Sequence, residues 1–308
     1  MEFRKVINFG KTSYVVSLPK KWITSNNIQK GDVVSLDIGE DTILISPGTE
    51  SKEKIDSIDI DITKLNPMIK RTIASLYKGG FDEIRIKFNS TEELKDVQKV
   101  IKNTCIGFEI VEQKSNLIIA RKISDAINDE FDSMLRRSFL FLKSMAEESK
   151  SAIEVGDNAA LSNVSLSDYN INKFTDFCRR ILNKKGHPRF KKIAPIYYII
   201  EELEKVGDNY NDICRYVVEN NVKVKSKDLL ELYEGINNFY TLFYELFYKL
   251  ELEKLRSLGL MKKDLDKKIK KLIPKTNKSE SEVLYNLRVI LERVFDMNGA
   301  LIAGIYGN

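Results

Sequence analysis

The chain has 308 residues, 43% hydrophobic and 31% charged, with a formal net charge of +5. That is the length of two or three domains and the composition of a folded globular protein, which excludes a disordered, fibrous or strongly polycationic chain. No apolar run is long enough to span a bilayer, and Met1-Glu2-Phe3-Arg4-Lys5 lacks the apolar core of a secretory signal. The three cysteines, Cys105, Cys178 and Cys214, are too widely spaced for a CxxC site and odd in number for a disulfide framework, so a cytoplasmic location is expected. The one histidine, His187, argues against a His-rich zinc site or a Ser-His-Asp triad; it reads as a loop residue within Lys185-Gly186-His187-Pro188.

Residues 1–47 read as strands and tight turns. Ser13 to Leu18 is β-rich, and Pro19 suits the first position of a short helix from Lys20 to Ser25, with Ser17 as a possible cap. Lys30-Gly31-Asp32 is a turn. Val33 to Ile38 and Thr42 to Ile45 form a hairpin across Gly39-Glu40-Asp41. Charge is segregated here. Residues 1–30 carry Arg4, Lys5, Lys11, Lys20, Lys21 and Lys30 against Glu2 alone, whereas 31–50 hold acids and no base. A segment of this size is too small to fold well by itself, so pairing with a second copy is expected. Trp22 reads as a core anchor.

Residues 48–55 are polar and look like a linker. A small α+β module follows over 56–122: a strand Ile58 to Ile62, a helix Pro67 to Tyr77 stopped by Gly79-Gly80, a strand Ile84 to Phe88, and a helix from Thr91 to Lys102 with Glu92 and Glu93 in its first turn. Phe108 to Val111 and Leu117 to Ala120 close it. Gly79-Gly80 lacks the frame of a phosphate loop.

From 124 to 308 the pattern is helical, with helices near 125–154, 158–184, 189–220, 227–257, 262–272 and 279–304. Leu258-Gly259 is the expected break between the fourth and fifth. Tyr233, Phe239, Tyr240, Phe243, Tyr244, Phe247 and Tyr248 recur at helical spacing and mark a buried stripe, broad enough that part could meet a partner. The basic run Lys262 to Lys271 reads as a solvated face.

One phrase occurs twice. Leu203-Glu204-Lys205-Val206-Gly207-Asp208 returns as Leu291-Glu292-Arg293-Val294-Phe295-Asp296, in the third helix of each half. Six helices therefore divide into two three-helix repeats, about 125–220 and 227–304. Each phrase puts Glu and Asp at i and i+4, with Cβ atoms about 5–6 Å apart, where like charges repel. A metal ion would turn that repulsion to use; a solvated acidic face paired with Lys205 and Arg293 is the alternative. Asp168 and Asn172, also i and i+4, could add oxygen ligands from the neighbouring helix. Asp212 lies one turn beyond Asp208, but Ala300 stands in the corresponding place.

The stretch from Ile199 to Asp208, running into Asn211-Asp212-Ile213-Cys214-Arg215, resembles the third helix of the phosphate-uptake regulator family PhoU, and Asp168-Tyr169-Asn170-Ile171-Asn172 resembles its second-helix motif. In the second repeat Phe295 replaces the usual glycine, and Asp264 and Asp266 only approximate the motif. Gly10-Lys11-Thr12-Ser13, Ser17-Leu18-Pro19-Lys20-Lys21-Trp22 and Lys30-Gly31-Asp32-Val33-Val34 resemble the AbrB/MazE/SpoVT swapped-hairpin DNA-binding domain. The resemblance implies a multidomain α+β protein: an AbrB-like β domain over 1–47, the module over 56–122, and a six-helix PhoU-like body over 124–308. It further implies a homodimer binding DNA through Arg4, Lys5, Lys11, Lys20 and Lys21, and a multinuclear iron or zinc site on Glu204, Asp208, Glu292, Asp296, Asp168 and Asn172. The function it implies is regulation of phosphate uptake, not enzymatic activity; no nucleophile elbow, Walker loop or HExxH motif is present. The competing reading is an adaptor restraining a phosphate transporter ATPase subunit or a sensor kinase, its head serving only to dimerise. A metal-storage or redox bundle is a third.

Overall fold

The computed structural model describes residues 3–38, 42–48, 55–123, 130–187 and 192–306. The expected hairpin turn Gly39-Glu40-Asp41, most of the 48–55 linker, Pro188 and the expected helix starts at 125 and 189 lie outside the described residues. The chain forms two compact units, Met1–Ile55 and Asp56–Asn308.

Among its described residues the first unit contains two short antiparallel strand pairs and one helix. Strand β1 (Ile7–Phe9) pairs with β2 (Ser13–Val15), Ile7 opposite Val15, across a turn in which Gly10 takes φ +78°. Helix α1 (Lys20–Ser25) begins with Pro19 just outside it, in extended conformation, and no side chain caps it, so Ser17 does not play that part. Strands β3 (Val34–Ile38) and β4 (Ile43–Pro47) pair with Leu36 opposite Ile45. None of the described residues of this unit is buried; Trp22 is only half-buried.

The second unit opens with a four-stranded sheet in the order β5 (Ser57–Asp61), β6 (Glu83–Lys87), β8 (Leu117–Lys122), β7 (Phe108–Gln113). The β5–β6 pair is parallel and the others are antiparallel. A parallel pair needs a crossover, and α2 (Ile69–Lys78) supplies it. Helix α3 (Thr91–Thr104) joins β6 to β7. Strand alternation puts Ile84 and Ile86 in the core with Tyr77 and Val97, while Arg85 and Lys87 face out. A capping box starts α3: Glu93 N–H donates to Ser90 Oγ at 3.2 Å, and Ser90 N–H to Glu93 Oε2 at 3.1 Å.

Among the described residues six helices follow: α4 (Phe131–Val155), α5 (Asn158–Lys185), α6 (Ile193–Glu219), α7 (Lys227–Tyr248), α8 (Leu252–Leu272) and α9 (Ser281–Tyr306). Helices α4–α6 pack together, α7–α9 form the second set, and α6 against α9 and α4 against α7 join the two around one apolar core. Gly156, at φ +73°, ends α4, and Asp157 at once caps α5 by accepting from Ala160 N–H at 2.9 Å.

Most of the aromatic stripe of α7 is core: Tyr233, Phe239, Tyr240, Phe243 and Phe247 are buried, whereas Tyr244 is half-buried and Tyr248 is exposed. Tyr240 donates to the Phe139 carbonyl at 2.9 Å, Tyr233 and Ser149 share a 2.7 Å bond, and Asn237 donates to the Ala146 carbonyl at 2.7 Å. Each buried polar tip thus has a partner, which lets the rings bury their apolar bodies. The fourth and fifth helices part at Lys249–Glu251, not at Gly259, which sits inside α8. A helical glycine costs only about 1 kcal/mol. The corner forms instead where Phe247 and Tyr248 end the stripe against Phe139 and Leu250 turns towards the core.

The module is fastened to α5. Arg180 Nη1 donates to the carbonyls of Tyr77 at 2.8 Å and Phe81 at 2.7 Å, and Nη2 donates to Asp82 Oδ1 at 3.1 Å. Asn183 donates to the Lys78 carbonyl at 2.9 Å, and Lys184 pairs with Asp82. The Tyr77 and Lys78 carbonyls stand at the C-terminal end of α2, and the cationic Arg180 suits that negative end of the dipole.

Candidate functional site

Both acidic phrases lie on the third helices, α6 and α9, as expected. The glutamate of each phrase, Glu204 and Glu292, is met by a cation of the chain itself. In the first repeat the guanidinium of Arg179, only 1% exposed, lies among carboxylates: Nη2 bonds Asp176 Oδ1 at 2.6 Å, and the two terminal nitrogens also pair with Glu201 and Glu204. Thr175 Oγ1 donates to Glu204 Oε2 at 3.2 Å. In the second repeat Lys262 of α8 reaches Glu292 at 3.1 Å. Lys205 and Arg293, the cations inside the phrases, turn instead to the buried Glu202, at 2.8 and 2.9 Å. Arg293 thereby ties α9 to α6, helped by Asn209.

The other candidate ligands divide. Asp168 and Asn172 come together, Asn172 Nδ2 donating to Asp168 Oδ2 at 3.1 Å, and Asn211 adds a second donor at 3.2 Å. The remaining oxygens, Asp168 Oδ1 and Asn172 Oδ1, are buried without a hydrogen-bond partner. Gly207 lies against this pair: a Cβ there would stand 3.4 Å from Asp168 Oδ1, an ordinary contact, and 3.3 Å from the Ile171 side chain, which would have to give slightly. Burial and the charge of Asp208 push the Asp168 carboxyl up to about 6, and burial followed by Asp212 raises Asp208. Asp208 and Asp296 are exposed.

As a test of fit for iron or zinc, the first repeat offers two orphaned oxygens, but Glu204 is engaged by Arg179. In the second, Glu292 is engaged by Lys262. No group of three or more His, Cys, Asp or Glu placed to hold a metal ion occurs among the described residues. A cleft of about 550 Å³ lies over the first phrase, with Glu204 and Asp208 on one wall and Arg71 and Lys99 on the other.

The basic residues of the first unit, Arg4, Lys5, Lys11, Lys20 and Lys21, are all exposed. Lys11 sits in the β1–β2 turn, and Lys20 and Lys21 open α1. Residues 7–53 match the family described as antidote-toxin recognition MazE, bacterial antitoxin. The match spans β1 to β4. No curated protein matches the chain. Among solved structures, the crystal structure of the phosphate transport system regulatory protein PhoU from Streptococcus pneumoniae aligns at 16% identity and a TM-score of 0.47, covering 60% of this chain and 97% of that one. No helix among the described residues is long and apolar enough to cross a membrane.

Sequence reasoning missed Arg179 and Lys262. Arg179 and Arg180 are adjacent in α5, so charge alone does not say which of them faces the acids. Lys262 belongs to a basic run whose other lysines are solvated, while it is 8% exposed. Heptad position carried the missing signal: Lys262 stands three residues before the core position Leu265 and four after Leu258, on the apolar face of α8.

Proposed function

We propose that this protein regulates phosphate uptake by binding DNA as a dimer through its N-terminal unit, with the helical body relaying the state of a ligand or partner protein. The observation that carries the reading is the first unit's lack of any buried residue among those described, with Phe9, Tyr14, Leu36, Ile38 and Leu44 all more than half exposed. Two hairpins exposing that much apolar surface need a cover, and a second copy supplies the same apolar strands by symmetry. A dimer presents Arg4, Lys5, Lys11, Lys20 and Lys21 twice. Lys5, Lys11, Lys20 and Lys21 make no ion pair among the described residues, which suits binding to phosphates. The likeness of residues 7–53 to the MazE family supports the same reading. The phosphate half rests on the resemblance of the two acidic repeats to PhoU.

The test is titration of the purified chain with its own upstream DNA and a scrambled duplex across a salt series. Specific binding is expected, and Lys20→Glu with Lys21→Glu should abolish it. For every DNA phosphate that a variant no longer neutralises, the log–log salt slope should flatten by about 0.9. Equal, weak binding to both duplexes would refute DNA-directed regulation. Intact phosphate control in the charge-reversed variant would point to the adaptor reading.

A further inference from the structure

Glu292, the glutamate of the second acidic phrase, already has a cation, shared with Asp266 of α8. Lys262 Nζ lies 2.9 and 2.8 Å from the two oxygens of Asp266 and 3.1 Å from each oxygen of Glu292. Four carboxylate oxygens from two helices therefore surround one ammonium. Its other side faces the ring of Phe295, whose centroid is 5.4 Å away. That is the residue standing where the first repeat has Gly207. The aromatic face adds a cation–π contact. Burial works against the charge on Lys262, but the hydrogen bonds to Asp266 and Glu292 outweigh it and hold the ammonium protonated.

The two repeats differ in how closely the neighbouring helix lies. At Gly207 α5 packs closely on α6, with Asp168 and Ile171 against the glycine. At the second position Phe295 is 39% exposed, and α8 meets α9 only briefly. A lysine reaches across the wider gap because its stem is long and its charge is at the tip.

We infer that Lys262 is the resident counter-ion of the second acidic phrase and that this repeat takes no metal, so any metal the protein holds is confined to the first repeat. An ammonium and a divalent cation compete for the same oxygens, and the tethered one has no association entropy to overcome. Removing it leaves Asp266 and Glu292 converging on an empty point. Their oxygens must move inward by up to about 1 Å to reach roughly 2.0–2.6 Å, the span from small to large hard divalent ions.

The experiment is equilibrium dialysis of the full chain against Mn2+ and, separately, Zn2+, with bound metal measured by mass spectrometry. Glu292→Gln with Asp296→Asn should leave the bound metal per chain unchanged. Lys262→Met should gain one Mn2+ per chain, and Lys262→Arg should gain none. Circular dichroism melts establish that each variant is folded. A fall in bound metal in the Glu292→Gln, Asp296→Asn variant overturns the inference. So does a folded Lys262→Met variant that gains nothing. If Lys262→Met does not fold, the Glu292→Gln, Asp296→Asn arm and Lys262→Gln decide the matter on the same readout.

Discussion

Arg180 holds the α+β module on the helical body, and replacing it with alanine should loosen the module selectively. The side chain makes three charge-assisted hydrogen bonds, to the Tyr77 and Phe81 carbonyls and to Asp82. It is 4% exposed and lies over the rings of Tyr77 and Phe108, 5.1 and 4.9 Å from their centroids. At roughly 1.5–3 kcal/mol each, the three bonds added separately overstate the effect. Asp82 keeps Lys184 and Lys122, and the Tyr77 carbonyl still accepts from Gly80 N–H at 3.1 Å. About 3–5 kcal/mol is the expected loss, the range for breaking a buried pair by deleting one partner. Hydrogen exchange read by mass spectrometry is the assay. Amides of α2 and of the sheet should lose protection while those of α9 keep theirs. Arg180→Lys, which retains the charge without the planar fork, should fall between. A loss below about 1 kcal/mol, the scale of a surface pair, would refute the reasoning, as would equal loosening of module and body.

Other expectations follow from the same structure. Leu36→Asp should cost about 0.5 kcal/mol or less if the head stands alone with Leu36 in water, but should abolish the dimer if that surface is covered by a second copy; light scattering during size exclusion separates the two. Asp168 is raised from 3.8 to about 6, so the folded state holds a proton that the unfolded state has lost. Stability should therefore fall as pH rises between those values and stay level above them. Asp168→Asn should remove that slope and gain about 1–3 kcal/mol at pH 7, measured by urea unfolding with a chelator present; parallel pH curves for variant and parent would refute it. Tyr240→Phe removes the bond to the Phe139 carbonyl and should cost about 0.5–1.5 kcal/mol by the same unfolding assay.

Periodic patterns were legible in the sequence because each is a local property. The alternation of β6 and the stripe of α7 report which face is apolar, and the structure buries those faces. Glu92 and Glu93 stand in the first turn of α3, and Gly80, at φ +98°, follows the end of α2. The corner after Tyr248 was not legible, since it depends on Phe139, more than a hundred residues earlier in the chain, and on Leu250 finding the core. The placing of both acidic phrases on third helices was legible from the repeat itself.

By itself the sequence determined the element types, the two three-helix sets, the segregated charge of the head and the duplicated Glu and Asp pairs, all of which follow from neighbours within a few turns. Only the tertiary structure decided what those carboxylates face. Arg179 and Lys262 come from the preceding helix of each repeat, and helix packing alone sets whether such a cation points to water or to the acids. The neighbouring helix packs closely beside Gly207 and only briefly beside Phe295, so which cation reaches the carboxylates is set by packing that no local pattern carries.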